Sequence, residues 1–263
     1  MLGKLLKYDL KWVYKVVSVF YILSLFFSVT GRLLNNIENS VVFSAITQFT
    51  FGFAIAMMAS SLINCLMRLW ARFIRNLYKD ESYLTHTIPV EKKTIFLSKV
   101  LSAGITVFTT AIVIIVCLFI CYYSKENLQV LKSMLEVTAS TYDTTIVNLL
   151  LLMAFVFFLE VMFMILIGYV GIILGHKSNR NKMVKTILIG FALYMLTQFV
   201  TLGVVFIFGL FNQNVMNLVN TTDIVNMETI KLVMTGGIGL YAVYIAFYYW
   251  LGKKAFQKGV NVE

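Results

Sequence analysis

The sequence predicts an all-α membrane protein with six transmembrane helices, an N-terminal interfacial amphipathic helix and a short cytoplasmic helix between spans 2 and 3. Three observations carry this. Of the 263 residues, 60% are hydrophobic and 13% charged, where a soluble domain holds about 25% charged residues. There is one proline, so long helices run without a break. The 22 lysines and arginines are divided very unequally between alternate connections of the apolar segments.

Lys4, Lys7, Lys11 and Lys15 are spaced by three, four and four, which puts them on one narrow helical face. Leu2, Leu5, Leu6, Trp12, Val13 and Val16 fall on the opposite side. Residues 1–15 therefore read as an amphipathic helix in the membrane interface. It serves either as a positive anchor or as an elbow packed against the spans. The spans follow at 16–34, 41–67, 100–123, 146–174, 186–211 and 232–251, each close to the roughly 20 apolar residues needed to cross a bilayer. The charge-free part of the first ends at Gly31, and Lys15 and Arg32 can snorkel to the two interfaces to complete it. The whole of 1–263 reads as a single transmembrane domain.

Orientation follows from the basic residues. Four lie in the N-terminal segment, seven between spans 2 and 3, four between spans 4 and 5, and three in the C-terminal tail, eighteen altogether. The alternate connections hold four: Arg32, Lys125, Lys132 and Lys231. The richer set marks the cytoplasmic face, so both termini are expected there in a multi-pass cell-membrane protein. A net charge of +10 in so apolar a chain belongs to that face and to membrane lipid, with no nucleic acid as partner.

Arg68, Arg72, Arg75 and Lys79 share a helical face, so span 2 is expected to continue into the cytoplasm. The stretch DESYLTHTIPVEKKTIFLSK then joins it to span 3. Asp80 and Glu81 end the basic run, and Leu84, Ile88 and Val90 bring apolar side chains into a short loop. Pro89 suits the first turn of the next helix. A tether needs no compact, partly apolar turn between two basic helices, whereas a docking surface for a cytoplasmic partner does. Outside, Leu128, Leu131 and Leu135 line one face of a short amphipathic helix over Lys125–Val137. The stretch Asn212–Lys231 is too apolar for a solvated loop and too interrupted for a span, which fits short half-helices dipping into the outer leaflet. A glycosylation sequon at Asn220-Thr221-Thr222 reads as a chance match.

No catalytic, cofactor-binding or metal-binding constellation is evident. Cys65, Cys117 and Cys121 lie in apolar stretches without ligand spacing and read as reduced packing residues. His86 and His176 have no acids at ligand spacing. The run from Gly171 to Ser178 has the wrong glycine spacing for a phosphate-binding loop and ends a span where a strand should precede it. Gly168, Gly171 and Gly175 make a small-residue face for close helix packing, or a hinge. Glu160 is the one ionisable group expected to be buried in a span. It must be protonated, paired or facing water, and is a candidate for lining a translocation path.

The cytoplasmic stretch resembles the one after the second span in permeases of the ABC type-2 family, through Glu81, Tyr83, Leu84, Thr85, Pro89, Lys92, Ser98 and Lys99. Ser82 and Ile88 stand where that family often has Gly and Leu. The layout of interfacial helix, six spans and cytoplasmic helix is similar along the whole chain. The resemblance implies a permease without its own ATPase site. It would pair with a second permease, identical or homologous, and with two ABC ATPase subunits that bind ATP and magnesium. Such assemblies export peptides, toxins, drugs or lipid-like molecules, and the phenol-soluble-modulin exporter permeases are one such group. It further implies that Asp80, Glu81, Tyr83, Leu84, Thr85, Ile88 and Pro89 form the ATPase-coupling segment, with Lys4, Lys7, Lys11, Trp12 and Lys15 in the interfacial helix alongside. The alternative is a secondary transporter or another six-span protein with no ATPase partner. Such a transporter would be expected to show broken helices in two matching halves.

Overall fold

With its one proline at position 89, the chain has few places where a helix must stop. The computed structural model describes residues 1–37, 40–141, 144–178, 180–212, 215 and 227–259, and among these all regular structure is helical. The helices are α1 (Leu2–Asn35), α2 (Val41–Leu77), α3 (Ser82–Thr87), α4 (Lys92–Tyr122), α5 (Lys125–Thr141), α6 (Ile146–Gly175), α7 (Lys182–Phe211) and α8 (Met227–Gln257). Five of them, α1, α2, α4, α6 and α7, are long and apolar enough to cross a membrane. The sixth predicted stretch, 232–251, lies within α8. Of the stretch predicted as half-helices, Asn212–Lys231, residues 213–214 and 216–226 lie outside the described residues, the Asn220 sequon among them, and 227–231 begin α8.

Two elements differ from expectation. The interfacial helix and the first span are one continuous 34-residue helix, because no Gly or Pro occurs between Gly3 and Gly31. Pro89 does not open a helix: α4 begins at Lys92 behind an extended Glu91 cap. The predicted amphipathic helix over 125–137 is present and is longer than predicted, as α5.

Contacts fall into two compact units, Met1–Ser133 and Met134–Asn261, within the span the sequence reads as one domain. In the first, α1 packs against both α2 and α4. Its buried line of Asp9, Val13, Val17, Ser24, Ser28 and Gly31 recurs at helical spacing. The Tyr14 and Tyr21 hydroxyls lie 2.6 Å from the Thr109 and Thr110 hydroxyls of α4. Gly31 allows close approach, since a Cβ there would stand 2.7 Å from the Phe51 ring. Ala54 and Met58 of α2 pack with Cys117 and Cys121 of α4. All three cysteines are buried free thiols.

In the second unit α6 is the central element, in contact with α7 and α8. Two glycines of the predicted face, Gly171 and Gly175, lie tight against α7. A Cβ on Gly171 would meet Gly190 Cα at 3.0 Å, and one on Gly175 would meet Thr186 Cα at 2.6 Å. Asn181, in the left-handed region at φ 54°, turns the chain into α7, a conformation asparagine tolerates better than most residues.

Candidate functional site

The site grows from the length of α2. Thirty-seven helical residues rise about 55 Å, well beyond a hydrocarbon core of about 30 Å. The last turns therefore stand clear of the apolar part of the helix and carry Arg68, Arg72, Arg75 and Asn76. Of the basic face read from the sequence, Arg68 and Arg72 dock on α1, while Arg75 and Lys79 are exposed. Arg68 lies over the Trp12 ring, 4.0 Å from its centroid, and the Arg72 guanidinium is 5.5 Å from the same ring. Lys4, Lys7, Lys11 and Lys15 are exposed on the other side of α1, while Leu2, Leu5, Leu6, Trp12, Val13 and Val16 are half-buried or buried.

Between α1, α2, α3 and α4 lies a compact ionic cluster. Asp9 of α1 is 2% exposed and receives hydrogen bonds from Arg72 Nε (2.9 Å), Lys99 Nζ (2.6 Å) and Ser98 Oγ (3.2 Å). Arg72 Nη1 donates to Glu81 Oε2 at 2.6 Å. Asn76 Nδ2 donates to the same oxygen at 3.1 Å and to Thr85 Oγ1 at 2.9 Å, while Asn76 Oδ1 accepts from Lys99 Nζ at 2.5 Å. Two carboxylates thus face two buried cations, and the group is neutral inside an apolar surround. That balance is what buried charge requires. Arg75 closes the outer side, 3.5 Å from Glu81 and 3.4 Å from exposed Asp80. Beneath the cluster Phe73 packs edge-on to Phe96, and burial pushes the Tyr78 phenol up from its ordinary pKa.

The cluster explains the attitude of α3. Ser82 and Thr85 are buried, and the Thr85 hydroxyl donates back to the Glu81 carbonyl at 2.9 Å. His86 Nε2 lies 3.1 Å from the Leu77 carbonyl. With that side held, Tyr83 and Leu84 are forced outward, 76% and 68% exposed, and Ile88 follows at 40%. The predicted coupling residues therefore divide in two. Tyr83, Leu84, Ile88 and Pro89 are on the surface, and Asp80 is at its edge. Glu81 and Thr85 point inward and bond Arg72 and Asn76 of α2. Asp9 and Asn76 were missed by sequence reasoning. The available signal was an acid on the Val13–Val17 side of α1, opposite the lysines.

Glu160 stands apart, in α6 of the second unit. Its side chain is exposed on the surface of that unit. No protein-family model, curated protein or solved structure matches the chain.

Proposed function

We propose that the chain is the permease subunit of an ATP-driven exporter, working with a second permease and with two copies of a separate ABC ATPase. In this reading six helices span the cell membrane, α8 being the sixth, and both termini are cytoplasmic. The observation that carries it is the mounting of α3. A six-residue helix with two large apolar side chains in solvent is a poor tether and a good contact. Here Glu81, Thr85 and His86 hold it to the end of α2, whose Arg72 and Asn76 in turn bond Asp9 of α1 and Lys99 of α4. A push on Tyr83 and Leu84 would reach α1, α2 and α4 together through Glu81, Arg72, Asp9 and Lys99. The eighteen-to-four division of basic residues supports a cytoplasmic position for that contact. Exposed apolar side chains on a rigid mount are what a protein partner buries, and such anchors typically contribute about 2 kcal/mol or more.

The test is co-expression with the ATPase encoded nearest in the genome, followed by affinity purification and mass spectrometry. The ATPase is expected to co-purify with the wild-type chain and to be lost with Tyr83→Ala, Leu84→Ala, while membrane insertion and melting temperature stay the same. Retention of the ATPase and of full transport by the double variant would make this segment a tether. Failure of any ATPase to co-purify with the wild type would sink the permease reading.

A further inference from the structure

Glu160 lies on the apolar helix α6, one turn before Phe163, with its side chain exposed. Phe163 is ringed by three phenols of α8: Tyr241, Tyr244 and Tyr248, at centroid distances of 5.6, 5.8 and 5.9 Å. The last two are fixed from α7, where Thr201 Oγ1 lies 3.0 Å from the Tyr244 hydroxyl and Thr197 Oγ1 lies 2.6 Å from the Tyr248 hydroxyl. Glu160 and Tyr194 join this cluster by helical register, Glu160 one turn before Phe163 and Tyr194 one turn before Thr197, the partner of Tyr248. Tyr248 is buried, whereas Tyr241 and Tyr244 are half-buried and Tyr194 is exposed. Phe157 and Met164, three residues before and four after Glu160, are exposed on its face of the helix.

A carboxylate among apolar helices is costly unless it is paired or wetted. Among the described residues no cation of this chain pairs with it. A carboxylate next to a cluster of aromatic rings, within an apolar surround, is complementary to a cation carried on an apolar body. The acid supplies the counter-charge, the rings supply their quadrupole, and Phe157 and Met164 take the body.

We propose that Glu160, Tyr194, Tyr241 and Tyr244 form a binding site for a cationic amphiphile, an ammonium or phosphonium group on an apolar body. As a cargo site it rests on the permease reading; as a binding site it stands without it. The same arrangement repels anionic amphiphiles.

The test is equilibrium binding of radiolabelled tetraphenylphosphonium to the full chain in phosphatidylcholine nanodiscs, with no ATPase present. Binding is expected to saturate, to be displaced by dodecyltrimethylammonium and to be unaffected by dodecyl sulfate. Glu160→Gln should weaken it about tenfold or more, the usual scale for removing a charged partner. Tyr241→Leu should weaken it several-fold while Tyr241→Phe, which keeps the ring, stays near wild type. Circular dichroism of each variant checks folding. If Glu160→Gln misfolds, Glu160→Asp and the Tyr241 pair decide. Unsaturable uptake, equal displacement by dodecyl sulfate, or unchanged affinity in Glu160→Gln would overturn the site. None of these outcomes touches the permease reading, and loss of ATPase co-purification does not touch this site.

Discussion

Truncating Asp9 to alanine leaves Lys99 and Arg72, 3% and 8% exposed, with one carboxylate fewer between them. Removing one partner of a buried ion pair costs about 3–5 kcal/mol, mostly through the charge left behind. Asp9→Ala is therefore expected to lower the melting temperature of the purified chain by roughly 10 °C. Asp9→Leu combined with Lys99→Met removes one charge of each sign and leaves Arg72 on Glu81, so it should regain much of the loss. A melting curve for Asp9→Ala that overlays the wild type would mean the cluster contributes nothing to stability. These residues show where sequence reading stops. Lys99 is visible as the end of a motif, and Asp9 as an acid on the wrong side of an amphipathic helix. That they meet is a contact across 90 residues, which no local periodicity encodes. Glu160 is a different case: hydropathy places it within an apolar segment, but which helix side it occupies relative to α7 and α8 depends on packing that hydropathy does not encode.

Helices were legible because hydropathy and spacing report them directly. The lysine face of α1, the glycine contact of α6 and the amphipathic α5 all follow from periodicity. Boundaries were less so: nothing in residues 15–16 interrupts α1, and the turn after Pro89 delays α4 by three residues. The α6–α7 contact makes an asymmetric prediction. A methyl at Gly175 would stand 2.6 Å from Thr186 backbone atoms, so Gly175→Ala must push the two helices apart. Gly190 sits across the same interface, but its own Cβ direction is open, with nothing within 4 Å. Gly175→Ala is expected to destabilise by about 1–3 kcal/mol, the range for overpacking. Gly190→Ala should be neutral or slightly stabilising through helix propensity. Thermal melts of the two variants side by side check this, and equal behaviour would show that the close approach carries no energetic weight.

At the scale of the whole chain, the division of basic residues predicts the orientation of every connection. Reporters placed after Glu263 or near Lys177 should read cytoplasmic, and one near Glu126 external. A cytoplasmic signal at Glu126 would overturn the six-span reading of the chain. The ionic cluster adds a constraint of another kind, on the order in which the protein can be made. Asp9 leaves the ribosome first, while its two cations follow 63 and 90 residues later. At about 5–20 residues per second, the last partner is synthesised roughly 5–20 s after the acid. Through that interval Asp9 lacks its full set of partners, and an unpaired carboxylate is costly to bury. The first unit therefore closes only when the base of α4 arrives, and biogenesis of this half of the molecule is timed by its second residue of the Ser98–Lys99 pair.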